Sequence, residues 1–158
     1  MNRTMKFVLL GSMVLFMVFC KISHLRAEVL PIASLLSAVA MVIALGVLIH
    51  RNEASPIHKA MAATIVLACA SIWVWPGGAG RWVVASPLAL LYAMFFVMAI
   101  TPLITGHDVF TMYFARKTTP EAVWKTDLFR TINRHLTSFW AALFFLGFLS
   151  ALIPHVVG

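Results

Sequence analysis

The sequence predicts an all-α fold, a polytopic transmembrane helical bundle of about five spans, on three observations. Of 158 residues, 62% are apolar and 11% charged. The charges gather in clusters between apolar runs close to the roughly 20 residues that cross a hydrocarbon core. Tryptophans (Trp73, Trp75, Trp82) stand at run ends, as in the aromatic belt of a membrane surface. Backbone amides inside lipid must bond within their own segment, so such runs read as helices. Together they make residues 1–158 a single transmembrane domain and leave no length for a large soluble one.

The first predicted span covers about residues 5–22, with Arg3 and Lys6 before it and the Lys21 ammonium reaching back to the interface. A positively charged start and an apolar stretch also describe a signal peptide. Leu25-Arg26-Ala27 is a poor cleavage site, however, and Phe19 before Cys20 spoils a lipoprotein box, so a retained helix is expected. The second span, about 29–49, ends in the polar run His50-Arg51-Asn52-Glu53. Ser55-Pro56 pairs an N-cap with proline in the first helical position and opens the third, about 56–75. Pro76-Gly77-Gly78-Ala79-Gly80 predicts a tight turn. Ser86-Pro87 repeats the start signal for the fourth span, about 86–104, whose last turn Pro102 should kink. The fifth, about 136–153, is expected to stop at Pro154.

Charge bias orients these spans. Arg3, Lys6, Arg51, Lys59, Arg116, Lys117, Lys125, Arg130 and Arg134 fall on one predicted side, and Lys21, Arg26 and Arg81 on the other. The positive-inside rule then places the N-terminus in the cytoplasm and the C-terminus in the periplasm of a bacterial inner membrane. The net charge of +7 is explained by lipid headgroups beside these flanking cations, so nucleic acid is not an expected partner.

The second and third spans carry small residues four apart: Ala33/Ser37, Ser34/Ala38 and Ala40/Ala44 on one, and Ala60, Thr64 and Ala68 on the other. Such spacing lets helix backbones approach closely, within one chain or between copies in a homo-oligomer.

The segment 105–135 is predicted to be a cytoplasmic interfacial collar. Phe110, Tyr113 and Phe114 would share one face of a short helix closed by Arg116 and Lys117. Thr119-Pro120-Glu121 reads as a second helix start, with Glu121 and Lys125 four apart in the favourable order. Trp124, Leu128 and Ile132 would form an apolar stripe beside Arg130 and Arg134. Amphipathic helices of this kind lie in the membrane interface, where they meet lipid or another membrane protein.

His50, His58, His107 and His135 all fall on the predicted cytoplasmic side, where converging imidazoles could hold a transition metal or haem. None forms a His-x-x-x-His or Glu-x-x-His pair, and a histidine at a helix C-terminus, such as His50, also suits the dipole. Cys20 and Cys69 lie in apolar runs and read as small buried hydrophobes. No charged residue falls in the middle of spans two to five, which removes the usual mark of an ion or proton path. Nucleophile, phosphate-loop and dinucleotide signatures are absent from the sequence, so no enzymatic activity and no cofactor is expected.

Lys21 after the first apolar run, the small-residue second span, and Pro-x-x-Val-Trp (Pro120 to Trp124) resemble the intracellular septation protein A family. Trp140-Ala141 followed by Phe144 and Phe145 in the last span is similar to it too. The interval between Trp124 and Trp140 is longer than that family's, Thr137 stands where asparagine is usual, and a further last span is missing. The resemblance implies a small bacterial inner-membrane protein of the cell envelope without catalytic residues. The expected role is therefore a structural or partner-binding component. The alternatives are a metal- or haem-binding subunit of a membrane redox complex and a small solute-conducting membrane protein.

Overall fold

A computed structural model describes residues 11, 14, 16–18, 20, 29–75 and 77–157, excluding the side chains of 29, 30, 33 and 154–157. The described residues contain helices and no strand. In chain order these are α1 (Val29–His50), α2 (Pro56–Val74), α3 (Ala79–Ala85), α4 (Pro87–Thr105), α5 (Phe110–Ala115), a 3-10 turn (Glu121–Val123) and α6 (Asp127–Val157). Gly11, Val14, residues 16–18 and Cys20 are helical as well. The rest of the first predicted span, with Arg3, Lys6, Lys21, His24 and Arg26, lies outside the described residues.

Among the described residues, three helices are long and apolar enough to cross a membrane: α2, α4 and Asp127–Ile153 of α6. In α1 the apolar stretch Ser34–His50 is shorter.

Helix ends follow local chemistry. α1 closes with the Asn52 N–H on the Ile49 carbonyl and the Glu53 N–H on the Leu48 carbonyl, at 2.9 and 2.8 Å. That is a Schellman end, with Asn52 at φ 54°, a left-handed conformation its short amide tolerates. α2 opens on a capping box: Ser55 Oγ accepts from the His58 N–H, and His58 Nδ1 accepts from the Ser55 N–H. α4 has Pro87 in its first turn and ends at Gly106, φ 77°. The Ser86 side chain does not cap α4.

Two sequence expectations are corrected. The predicted turn after Trp75 includes the short helix α3, which lies so close to α2 that a Cβ on Gly80 would stand 2.7 Å from the Ser71 carbonyl. The last helix begins at Asp127, not near 136, and runs through Pro154 to Val157. Arg130 and Arg134 ended the apolar run in sequence, but charges at the end of a helix do not interrupt its hydrogen bonds. Proline removes only its own N–H, and helices of membrane type accommodate the loss.

The small-residue helices α1 and α2 pack against each other. Ser34, Ser37, Ala44, Ala60, Thr64 and Ala68 are buried, Ala38 packs beside them, and Cys69 Sγ lies 3.8 Å from Ser34 Oγ. Ala33 is outside the described side chains. Phe16 and Cys20 join the same core with Met41, Leu48 and Ile65. Both cysteines are buried and unbridged.

α4 and α6 form the other extensive packing pair. Phe95 stacks near Phe144 and Phe96 near Phe145, at 5.2 and 5.3 Å between ring centroids. Gly147 admits the Tyr92 ring: a Cβ there would lie 2.9 Å from it.

Candidate functional site

The collar sits where α2 begins and α4 ends. Its first part turns inward: Val109, Thr111 and Met112 are buried, and so is Phe110, packed among Ala99, Phe96 and Ala141. The predicted shared face of Phe110, Tyr113 and Phe114 is thus divided. Phe110 is core, Tyr113 is half-buried with its hydroxyl donating to the Glu53 carbonyl at 3.1 Å, and Phe114 is exposed. The reason is packing: α5 meets α6, α4 and α2, so successive residues meet different neighbours.

The joint beneath the collar is polar. Thr111 Oγ1 donates to the Asn133 carbonyl at 2.9 Å and lies 2.8 Å from Thr137 Oγ1. With its single proton committed, Thr111 accepts from Thr137. The Asn133 amide donates to the Phe129 carbonyl one turn back. Sequence reasoning missed this node. Asn133 and Thr137, four apart on a long apolar helix, were the signal that marks it.

Arg134 donates from Nη2 to the Leu103 carbonyl at 2.9 Å. That carbonyl belongs to the last turn of α4, where acceptors lack helical donors and the dipole is negative. Arg134, predicted as a docking cation, therefore ties two helices together. Arg130 is exposed.

The expected helix start at Thr119-Pro120 is also corrected. Only a 3-10 turn follows Pro120, and α6 starts after Thr126, whose Oγ1 accepts from the Phe129 N–H at 3.3 Å. Between them the Trp124 indole N–H donates to the Thr119 carbonyl at 2.9 Å, which folds the segment back on itself. Trp124 consequently does not share a helix with Leu128 and Ile132, and Glu121 and Lys125 do not share a helical face. Leu128 and Ile132 remain 70% and 55% exposed and continue the apolar surface of α6 toward the collar.

Around Trp124 the remaining predicted residues assemble. The Arg116 guanidinium lies 5.7 Å from the Trp124 ring centroid and pairs with Asp108 at 2.6 Å. Lys117 Nζ lies 4.3 Å from the centre of the Tyr113 ring and donates to its hydroxyl at 3.1 Å. With Pro56 and Val109 these side chains line a groove of about 440 Å³. Arg116 Nε and Glu53 Oε2 are buried without a hydrogen-bond partner. Asp108, Glu53 and Val109 were not predicted for this site; only Asp108 carried a sequence signal, a carboxylate shortly before two cations.

The histidines do not gather. His58 serves the α2 capping box, His107 Nδ1 lies 2.9 Å from Thr105 Oγ1, and His50 and His135 are exposed on α1 and α6. Among the described residues, no three His, Cys, Asp or Glu side chains are placed to hold a metal ion. The groove offers cations, a carboxylate and aromatic faces, which suit recognition of a polar headgroup or peptide.

Compared with protein-family models, curated proteins and solved structures, the chain matches none.

Proposed function

We propose that this chain is a five-span protein of the bacterial inner membrane, N-terminus cytoplasmic and C-terminus periplasmic. Its role is non-catalytic: a structural or partner-binding component of the cell envelope, like the septation protein A family it resembles. The collar faces the cytoplasm and is the surface that meets lipid headgroups and another membrane protein.

The observation that carries this reading is α6. Its 31 residues span about 46 Å at helical rise, longer than a hydrocarbon core of about 30 Å. Its excess length is the end bearing Arg130 and Arg134, while Leu128, Ile132, Leu136 and Phe139 keep an exposed apolar face along it. That is the form of a span whose first turns lie among headgroups. Exposed Trp73 and Trp75 mark the far end of α2, whose N-terminus borders the collar. The bias of basic residues supports the orientation.

Two measurements on full-length protein test it. In oriented vesicles, Thr118→Cys should react with an impermeant thiol reagent from the cytoplasmic side and Ala79→Cys from the periplasmic side. The reverse pattern, or release of the protein by an alkaline wash, overturns the topology. Arg130→Glu should weaken association of the collar with anionic vesicles or a cross-linked partner while the melting temperature holds. Unchanged association refutes the role given to the collar.

A further inference from the structure

We infer that the groove beside Trp124 binds the phosphodiester headgroup of a membrane phospholipid. The inference rests on the membrane reading above, which puts this groove at headgroup depth, between the start of α2 at Pro56 and the short helix α5.

Charge and unused donors carry it. Arg116 and Lys117 bring two positive charges and Asp108 one negative, so the groove wall is complementary to a single negative charge. A phosphodiester carries one; a phosphate monoester carries up to two. Arg116 spends Nη2 on Asp108, while its Nε–H is buried without an acceptor. The Arg116 side chain is 36% exposed and lines the groove, where its guanidinium offers an anionic oxygen a charge-assisted bond. Lys117 has three N–H donors and gives one to Tyr113. Asp108, which lines the groove, limits the site and disfavours polyanions. The Trp124 ring and Pro56 give the remaining wall an apolar character that suits the glycerol and first methylenes of a lipid, which free phosphate lacks.

The test uses the full chain, delipidated in detergent and titrated in native mass spectrometry with phosphatidylglycerol or with diacylglycerol of the same acyl chains. Phosphatidylglycerol should bind tighter by about fivefold or more, the effect of one cation near a charged headgroup. Lys117→Gln should erase that margin, and Lys125→Gln, outside the groove, should keep it. Arg116→Lys, which retains charge but removes the Nε donor, should narrow it, and serves where Lys117→Gln lowers the melting temperature. Equal binding of the two lipids, or a margin unaffected by both groove variants, overturns the proposal. Inorganic phosphate that displaces phosphatidylglycerol from the unsubstituted protein at millimolar concentration would reassign the groove to a soluble anion and overturn the lipid source. A protein that resists alkaline wash yet shows no margin refutes the groove alone; one released by the wash refutes the membrane reading itself.

Discussion

The hydroxyls of Thr111 and Thr137 meet 2.8 Å apart in the joint between α5 and α6, and Thr137 has no solvent exposure. The collar is thereby fastened to the longest helix by side chains rather than by chain connection alone. Removing either hydroxyl leaves the survivor a buried polar atom with one partner fewer, although Thr111 keeps its bond to the Asn133 carbonyl.

Thr111→Val and Thr137→Val should each lower stability by about 1 kcal/mol, and the double variant by clearly less than their sum. Thermal melts of the four proteins in one detergent give the coupling. Strict additivity would show that the two hydroxyls act independently.

The two arginines of α6 should separate by role. Arg134→Ala removes the donor from the Leu103 carbonyl and should cost about 1 kcal/mol or more, with hydrogen exchange rising first in the last turn of α4. Arg130→Ala should stay within about 0.5 kcal/mol of the parent, as an exposed substitution. Equal losses at both positions would remove the special status of the Arg134 bond.

Gly147→Ala places a methyl 2.9 Å from the Tyr92 ring and should destabilise by about 1–3 kcal/mol through overpacking. Combining it with Tyr92→Leu should recover part of the loss. Gly46→Ala meets nothing within 4 Å and should be neutral or stabilising, since alanine is the better helix former. Matching melting temperatures for the two alanine variants would show that the contact of α4 with α6 leaves room for a methyl at Gly147.

The helical class, the pairing of α1 with α2 and the start of α2 at Ser55-Pro56 were legible because each depends on neighbours in sequence or on a fixed helical period. The end of α6 was less so. Arg130 and Arg134 look like the edge of a span in any window of composition, yet a helix runs through them, because charge near a helix end does not interrupt its hydrogen bonds. The collar was legible as a region and not as an arrangement. Thr119-Pro120 has the chemistry of a helix start, but the Trp124 indole bond to Thr119 and the Thr126 cap move the start downstream. Phe110 and Tyr113 have sequence properties that fit lipid or core equally well, and only the packing of α5 against α6, α4 and α2 decides between them. His58 gave a ligand-like signal whose explanation is local, three residues from Ser55.

α6 continues without a break past residue 136, so the anchors of the collar and the aromatic packing against α4 ride on one stiff lever. In a bilayer that thins, a helix of this length leans. Its lower arm, with Phe144 and Gly147, and its upper arm, with Arg134 and Thr137, must then swing together. The Leu103 and Thr111 attachments extend that rigid connection to α4 and α5, so the segment bearing Arg116 and Lys117 is mechanically one body with both arms of α6.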